Sequence, residues 1–456
     1  MPAAHKLPPG PVFPLWLVRL MQLMPFRTRP DTLEFAIQTA QQYGTFACAR
    51  IGKRLLFQIS DPELAHQILV TQADKFHKDD IINRALRPIT GNGLLLSEGE
   101  FWRKQRRLAQ PAFHHKRIES YAAAMVEEAQ RTIATWQTDQ PFDVLFEMTQ
   151  LALKIVSRTL FSADVGDSAA RISQLVTVLL EAANNRISLF TTLHDLLPRA
   201  SKRQEHIALH DIDALLQRII AERRAEASDR GDLLSMLLSA TDEDDNGMSD
   251  QQLRDEVITI FLAGHETTAV TLAWSWALLA QHPEVEAKLW AELDSVLGGR
   301  PPTLEDLPRL LYTEMVIKEA MRLYPPAGGI PRMAQTDVQL GEYVLPKGSN
   351  VFISTYVMHR DPRYFPEPER FLPERFSPER EASIPRYAYL PFGAGPRICI
   401  GNSFAMLEAR LLLATIAQRF KLALLKDHPI VPEQLFTIRP KYGVKVVASI
   451  REPIFA

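Results

Sequence analysis

One long, uninterrupted helical pattern constrains the fold of this chain more than any other feature of its sequence. Ser249 and Gln252 have the spacing of a helix-capping box, and an apolar helical pattern continues from there to Gln281, where His282-Pro283 ends it. At a rise of about 1.5 Å per residue, this helix is roughly 48 Å long. A helix of that length crosses a whole domain, so the rest of the fold is expected to be built around it.

The remaining pattern is mainly helical, with a small amount of strand. Helical periodicity dominates residues 100–300 and returns from Gly401 to Phe420, while the acidic stretch 240–250 is expected to be a solvated loop. Strand-like alternation is found in Phe46–Ile51 and Arg54–Ile59, and in Val338–Leu345 and Asn350–Tyr356 around turns at Gly341 and Pro346-Lys347-Gly348. Because no internal repeat is present, the sequence predicts a mainly α fold with a minor β region, forming one domain over residues 31–456.

The N-terminal segment is apolar but too short and too interrupted to span a membrane. Pro14, Arg19 and Pro25 break up residues 12–26, whereas a spanning helix needs ~20 consecutive apolar residues. The segment also lacks the small-residue cleavage site of a signal peptide. We therefore expect an N-terminal extension over residues 1–30 and no transmembrane segment. The extension is expected to pack on the protein itself, with weak contact to a membrane surface as the alternative.

Composition excludes several classes of protein. The net charge is −2 at pH 7, so the strongly basic face of a nucleic-acid-binding protein is not expected. Cys48 and Cys399 are the only cysteines. Two thiols this far apart indicate a reduced, cytoplasmic protein, and they form neither a four-ligand zinc site nor a Cys-x-x-Cys-His haem attachment. Any chemistry at sulfur must therefore come from one thiol acting alone.

The stretch Phe392–Gly401 surrounds one of these thiols with residues suited to a metal ligand. Cys399 directly precedes a helical pattern, and the orphan amides and positive end of a helix favour thiolate over thiol. Gly393 and Gly395 permit a tight backbone that another body can approach closely. A lone cysteine is more often an inert, buried side chain. The pattern F-x-x-G-x-R-x-C-x-G, however, arises by chance in a chain of this length with a probability on the order of 10⁻⁴.

This pattern resembles the haem-binding loop of the cytochrome P-450 family. The resemblance extends from about Leu33 to the C-terminus, and it implies a single cytochrome P-450-type catalytic domain whose long helix lies over haem b (iron protoporphyrin IX). Cys399 is then the axial ligand of the iron, and Phe392, Arg397 and Gly401 lie against the cofactor. A thiolate ligand donates electron density to the iron, which favours cleavage of the O–O bond of dioxygen. The implied activity is that of a monooxygenase.

The long helix carries a second motif of the family, AGHETT at residues 263–268. Ala263 lets a flat group lie against the helix, and the Thr267 hydroxyl can bond back to the Ala263 carbonyl and open the helix locally. Alone, such threonines are usually ordinary packing. A zinc-binding H-E-x-x-H motif is excluded because residue 269 is alanine. The resemblance assigns Glu266 and Thr267 to the delivery of protons during dioxygen activation.

Two further matches to the family concern charged side chains. Glu319 and Arg322 share a helix face, and alone they would be a surface pair worth ~0.3 kcal/mol. The resemblance joins them to Arg375 in a structural triad that supports the cysteine loop. The two propionates of the cofactor need guanidinium and N–H donors. The candidate partners of the propionates are Trp102, Arg106, Arg332 and Arg397.

The resemblance also implies a reaction and its partners. One oxygen atom of O2 enters a hydrophobic substrate by hydroxylation or epoxidation. The electrons come from a separate ferredoxin or flavodoxin with its reductase, because no flavin, nicotinamide or iron–sulfur motif is found. A basic patch of Arg103, Lys104 and Arg107 is expected to receive that donor. The expected pocket is apolar, which indicates a terpenoid, fatty acid or polyketide. Its residues are Leu94, Leu95, Leu96, Phe261, Leu262, Ala327, Ile330 and Phe436.

Two other functions stay open at this point. The same site could use hydrogen peroxide as a peroxygenase, although Glu266 and Thr267 favour dioxygen, because a peroxide-using enzyme has less need of a proton relay. The other alternative is a haem-thiolate sensor without turnover. A sensor would be expected to carry an effector domain, and the sequence shows no pattern for one.

Overall fold

The computed structural model describes residues 6–14, 16, 31–52, 54–163, 166–187, 200–226, 229–240 and 247–451. Most of the expected N-terminal extension (residues 1–30) and most of the acidic stretch 240–250 lie outside these ranges. The predictions for those two segments, and the domain boundary at residue 31, therefore stay predictions.

Helices make up most of the described chain, which confirms the prediction of a mainly α fold. In chain order they are α1 Thr32–Tyr43, α2 Pro62–His66, α3 Asp80–Thr90, α4 Gly99–Ala109, α5 His115–Ser120, α6 Ala122–Ala134, α7 Val144–Leu160, α8 Ala169–Ile187, α9 Ala200–Glu226, α10 Leu233–Ser239, α11 Asp250–Gln281, α12 Pro283–Leu297, α13 Leu311–Leu323, α14 Thr355–Met358, α15 Pro378–Glu381 and α16 Asn402–Arg419. Short turns of other helix types lie between some of them.

Helix α11 crosses the centre of the fold, as its sequence predicts. The Gln252 amide donates to the Ser249 hydroxyl at 3.2 Å, and the Ser249 amide donates to the Gln252 side chain at 3.3 Å, so the capping box forms. The helix packs against α7, α13 and α16. Among the described residues it is the one helix long and apolar enough to cross a membrane. Since 83% of its most apolar window is buried inside the protein, it is a core helix.

Strands form a smaller part of the fold. In chain order they are β1 Val12–Phe13, β2 Phe46–Ile51, β3 Arg54–Ile59, β4 Phe76–His77, β5 Pro141–Asp143, β6 Ile330–Ala334, β7 Val338–Leu340, β8 Tyr343–Leu345, β9 Asn350–Ile353, β10 Phe420–Leu424, β11 Pro432–Gln434, β12 Ile438–Pro440 and β13 Lys445–Ile450. The largest sheet has the order β1-β2-β3-β9-β6-β4, with β1–β2 and β3–β9 parallel and the other pairs antiparallel. The strands β10, β13 and β5 form a second, antiparallel sheet, and β7–β8 and β11–β12 are antiparallel pairs.

One strand prediction is too long, whereas β2 and β3 have the predicted bounds and the predicted turn at Gly341 is present. Val338–Leu345 is a hairpin of two short strands, because Gly341 adopts a left-handed conformation (φ +56°) and turns the chain between them. The predicted strand Asn350–Tyr356 ends at Ile353. There the Ser354 hydroxyl caps the first turn of the short helix α14.

A buried charge cluster fastens the coil that leads to the cysteine loop. Arg322 donates twice to the Glu319 carboxylate, at 2.7 and 2.8 Å. It also donates to the coil carbonyls of His359 and Pro368. Arg375 donates to the same Glu319 carboxylate at 3.2 Å. Glu319 and Arg322 have no exposed surface, so they form the predicted supporting triad and not a surface pair.

Candidate active site

A large cavity lies between the centre of α11 and the loop that carries Cys399. Its volume is about 1190 Å³, and its lining also includes parts of α1, β2, β3 and the β11–β12 pair. Ordinary ligand pockets measure roughly 300–1,000 Å³. The cavity therefore has room for a flat cofactor and a further molecule side by side.

All but one of the residues predicted for the site line this cavity. They are Leu94, Leu95, Leu96, Trp102, Arg106, Leu262, Ala263, Glu266, Thr267, Ala327, Ile330, Arg332, Phe392, Arg397, Cys399, Gly401 and Phe436. Residues far apart in the chain thus meet around a single space, as the resemblance to the family implies.

The cysteine loop is closed by its own backbone. The Cys399 amide donates to the Phe392 carbonyl at 3.0 Å. Gly393 and Gly395 adopt left-handed conformations, with φ of +72° and +69°, which favour glycine. A Cβ atom on Gly395 would overlap the backbone of Leu69, so no larger residue fits there. These contacts fix the loop so that the sulfur borders the cavity.

Cys399 has exposed surface along the cavity, and many protein atoms surround it deep in the fold. Burial raises the pKa of this thiol and outweighs the Gly401 amide and the charges of Arg106 and Lys78, which lower it. The Gly401 amide at the start of α16 thus favours the thiolate, as the sequence predicts, but burial has the larger effect. A metal ion bound to this sulfur would favour the thiolate.

Four cationic side chains gather on one side of the cavity: Lys78, Arg106, Arg332 and Arg397. Burial and the neighbouring arginines lower the pKa of Lys78 to about 7 and that of Arg332 to about 10. Glu98 bonds to Arg397 and supplies one negative charge. The Nη1 atom of Arg397 is buried without a hydrogen-bond partner among the described residues. The cluster is short of negative charge, so a ligand with two carboxylates fits it.

Helix α4 places two members of this site against the cysteine loop. The Arg397 guanidinium lies over the Trp102 ring at 3.9 Å from its centroid, and Arg106 Nη1 donates to the Ile398 carbonyl at 2.8 Å. The sequence did not reveal Lys78 and Glu98. Neither belongs to a motif, and their position beside the arginines is a property of the folded chain alone.

The centre of α11 has the local geometry that its sequence predicts. Thr267 Oγ1 donates to the Ala263 carbonyl at 2.9 Å. The Glu266 carboxylate is nearly buried and accepts from the Thr437 hydroxyl at 3.1 Å, with Arg439 at 3.9 Å. A carboxylate and a hydroxyl on successive residues thus border the cavity, and the turn between β11 and β12 holds the carboxylate.

Phe261 does not line the cavity, and its inclusion in the pocket was wrong. Its side chain is fully buried, with ring centroids 6.2 Å from Phe161 and 5.8 Å from His265. Leu262, the next residue, faces the cavity instead, because successive helical residues point about 100° apart. Phe261 therefore belongs to the packing between α11 and its neighbours.

Two helices contribute apolar lining that the sequence did not single out. These residues come from α3 and α8 and are Ile81, Ile82, Leu86, Leu180 and Ile187. The signal for them is only the amphipathic pattern of each helix, which does not tell whether the apolar face meets a core or a cavity.

A second groove, of about 710 Å³, runs along α4. Five of the described residues that border it are basic and none is acidic; the basic ones are Arg103, Arg106, Arg107, Lys116 and Arg117. Arg106 also contacts the cysteine loop through the Ile398 carbonyl, so the groove lies on the cysteine side of the site. Two members of the predicted basic patch border the groove, while Lys104 lies on the same helix outside its lining.

The comparisons with known proteins agree with this geometry. The family model for cytochrome P-450 matches residues 8–446 of the chain. The chain therefore belongs to the cytochrome P-450 family, whose members carry a haem-thiolate cofactor.

Similar proteins include named oxygenases. Cyclooctatin synthase of Streptomyces melanosporofaciens is 42% identical over 383 residues, which cover 83% of this chain and 83% of that protein. Cyclooctat-9-en-7-ol 5-monooxygenase of the same organism is 37% identical over 382 residues, again 83% of each chain. Pentalenene oxygenase of Streptomyces avermitilis is 36% identical over 414 residues, 90% of this chain and 91% of that one.

A solved structure shows the same fold. The crystal structure of the cytochrome P450DA heme domain superposes with a TM-score of 0.86 at 28% identity, covering 98% of this chain and 99% of that one. Together with the named oxygenases, this makes the chain a cytochrome P-450 monooxygenase of the bacterial type, acting on a hydrophobic substrate.

Proposed function

We propose that Cys399 is the axial ligand of haem b, and that the chain oxygenates a terpenoid-like substrate with electrons from a ferredoxin or flavodoxin. The observation that carries the proposal is the cavity itself, where the Cys399 thiol and a cluster of four cationic side chains line the same space. An iron porphyrin would bind the thiol through its iron and the cations through its two propionates. Bound haem would supply the activation of dioxygen by which one oxygen atom enters the substrate, by hydroxylation or epoxidation.

The residues around the cavity have distinct tasks in this proposal. Arginine side chains bind propionates bidentately, and a lysine adds a point charge. The residues proposed to hold the propionates are Lys78, Trp102, Arg106, Arg332 and Arg397. Ala263 and Gly401 leave space for a flat ring because their side chains are small, and Phe392 packs beside the sulfur.

Thr267 and Glu266 are proposed to move protons into the cavity. The Glu266 carboxylate lies near Arg439, whose side chain is 20% exposed, so Glu266 is placed between the cavity and the solvent side of the β11–β12 pair. Glu266 would take a proton from that side, and Thr267 Oγ1 would pass it on at the cavity wall. This pair supports dioxygen over hydrogen peroxide as the oxidant.

The lining and the relatives together support a terpenoid-like substrate over a fatty acid or a polyketide. Leu94, Leu95, Leu96, Leu262, Ala327, Ile330 and Phe436 give the cavity mostly apolar walls. The similar proteins are named cyclooctatin synthase, cyclooctat-9-en-7-ol 5-monooxygenase and pentalenene oxygenase. The spin-state shift of the haem, measured with terpene hydrocarbons, terpene alcohols, fatty acids and polyketides, tests this ranking.

The groove along α4 supports a separate, acidic electron donor. Its basic side chains complement the surface of a ferredoxin or flavodoxin, and its contact with the cysteine loop shortens the path to the cofactor. We also propose a cytoplasmic location, because both cysteines are free thiols and reducing conditions preserve them.

The test of the site is the absorption spectrum of the reduced protein exposed to carbon monoxide. The far red-shifted Soret band of thiolate ligation is expected, and Cys399→Ser should abolish it. Cys48→Ser is the matched control, because Cys48 is a buried thiol in β2 and should leave the band unchanged. Folded protein that takes up no haem, or a Cys399→Ser variant with an unaltered spectrum, would overturn the proposal.

A further inference from the structure

The loop between α3 and α4 carries part of the cavity wall. Leu94, Leu95 and Leu96 all line the cavity. Within the loop, only short turns are made, such as the Leu96 amide donating to the Gly93 carbonyl at 3.0 Å. The position of these three leucines therefore depends on what the loop is fastened to.

Two adjacent carboxylates of α11 hold the backbone of this loop. The Asn92 amide donates to Asp255 Oδ2 at 2.8 Å, and the Leu94 amide donates to Glu256 Oε2 at 2.9 Å. Both carboxylates are buried, with Asp255 5% and Glu256 1% exposed. Breaking a buried hydrogen bond leaves an unsatisfied polar group, so these two bonds fix the loop on the helix.

The loop can approach the helix this closely because it contains two glycines. A Cβ atom on Gly91 would overlap the Asp255 carboxylate. A Cβ atom on Gly93 would overlap the Thr259 hydroxyl and the backbone of Asp255. The absence of side chains on the two loop glycines therefore lets the carboxylates of α11 reach the loop backbone.

The end of α3 is braced in the same region. Arg254 donates to the Ile89 carbonyl at 2.9 Å and to Asp255 Oδ1 at 3.1 Å. It also donates to Asp213 on α9, at 2.6 and 2.9 Å. Asp255 is therefore paired with the cation of Arg254, whereas one oxygen of Glu256 has no hydrogen-bond partner among the described residues.

The buried carboxylate of Glu256 does not stabilise the fold. Its second oxygen, Oε1, has no hydrogen-bond partner among the described residues, and burial raises the pKa of its carboxyl to about 7. A buried carboxylate without a cationic partner destabilises a fold. Its contact with the Leu94 amide, directly behind the cavity wall, indicates a role in the site.

We propose that Asp255 and Glu256 latch the loop 91–96 onto α11 and so hold in place the apolar wall that bulky ligands of the cavity contact. Glu256 is a positioning residue, because it contacts the backbone of the loop and does not line the cavity. The inference rests on the proposed function, since the loop is taken to be the wall of a haem-bearing substrate cavity.

Two nitrogen ligands of haem iron, small imidazole and bulky clotrimazole, serve as probes in spectral titrations. Glu256→Ala removes the acceptor and should weaken clotrimazole binding roughly tenfold while leaving imidazole within about twofold. Gly93→Ala should have the same effect, because its added methyl group pushes the loop away from α11 while both carboxylates remain. Glu256→Gln keeps an oxygen for the Leu94 amide and should stay near the unaltered protein.

Glu286→Ala is the matched control for these variants. Glu286 on α12 is also a buried carboxylate, 4% exposed, and burial raises its pKa to about 7, but it does not line the cavity. Its replacement should leave the affinities for both probes unchanged.

Hydrogen–deuterium exchange of the peptide around residues 91–97 gives a readout that does not depend on haem. It should speed up in Glu256→Ala and Gly93→Ala, and stay unchanged in Glu256→Gln and Glu286→Ala. Equal weakening of both azoles, or unchanged exchange in the loop, would overturn the latch. If Glu256→Ala fails to fold, the same two measurements on Gly93→Ala test the latch. Loss of the thiolate spectrum from the unaltered protein would instead refute the proposed haem site.

Discussion

Replacing Glu319 tests how much the buried triad contributes to the stability of the fold. Its carboxylate accepts two bonds from Arg322, one from Arg375 and one from the Leu372 amide, the last at 2.9 Å. Glu319→Gln keeps the shape of the side chain but removes its negative charge. The guanidinium of Arg322, which has no exposed surface, is then left without a counter-charge. Breaking a buried pair in this way costs about 3–5 kcal/mol, and we expect a loss of about 4 kcal/mol.

Urea denaturation of the haem-loaded protein, followed by circular dichroism, measures this loss in the free energy of unfolding. Glu367→Gln is the matched control. Glu367 pairs with Arg370 at 3.2 Å, but both side chains are about 60% exposed (64% and 60%), so the control should lose less than about 0.5 kcal/mol. The Soret band should decay at lower urea in Glu319→Gln, because the triad supports the coil before the cysteine loop. A loss for Glu319→Gln as small as that of the control would refute this reasoning.

Three further predictions concern a buried acid, the proton relay and the donor groove. Burial raises the pKa of Glu408 to about 8 from 4.5, so the folded chain keeps a proton that the unfolded chain has lost, and stability falls as pH rises between these values. In Glu408→Gln, the free energy of unfolding should fall with pH less steeply, by up to about 1.4 kcal/mol per pH unit. Urea denaturation at pH 5 and pH 8 measures this, and the same fall in the variant and the unaltered protein would contradict the prediction. Thr267→Ala should lower product formation roughly tenfold to hundredfold and raise hydrogen peroxide release, with substrate affinity unchanged; unchanged coupling would exclude the relay. Reversing the charges of Arg103 and Arg107 should slow reduction by an acidic ferredoxin and weaken its salt dependence in stopped-flow traces, and unaltered kinetics would count against the groove.

The parts of the fold and site that the sequence predicted have local causes. The bounds of α11 follow from a capping box at Ser249 and a proline at 283, and both signals lie within a few residues of the ends they set. Likewise, the Thr267 bond to the Ala263 carbonyl depends only on helical spacing. The cysteine loop could be recognised because its glycines and its cysteine lie within ten residues of one another.

The parts that the sequence did not predict depend on how distant segments pack. Phe261 was placed in the pocket because α11 is apolar around its circumference, so periodicity does not tell which side faces the cavity. Lys78 lies near Arg332 only in the folded chain, and its lowered pKa is a consequence of that burial. For Cys399, the effect of a helix start could be read from the sequence, whereas the larger effect of burial could not.

Helix α11 joins three parts of the site that must keep fixed distances from one another. Its first turns hold the cavity loop through Asp255 and Glu256, and its centre borders the cavity at Thr267. Towards its C-terminal end, Trp274 Nε1 donates to the Ile438 carbonyl at 2.8 Å and so fixes the β11–β12 pair. A site is positioned more accurately on one rigid element than on several loops, because the relative motion of its parts is smaller. A break in this helix would therefore loosen the loop, the proton relay and the β pair together, which is why its uninterrupted pattern constrains function as strongly as it constrains the fold.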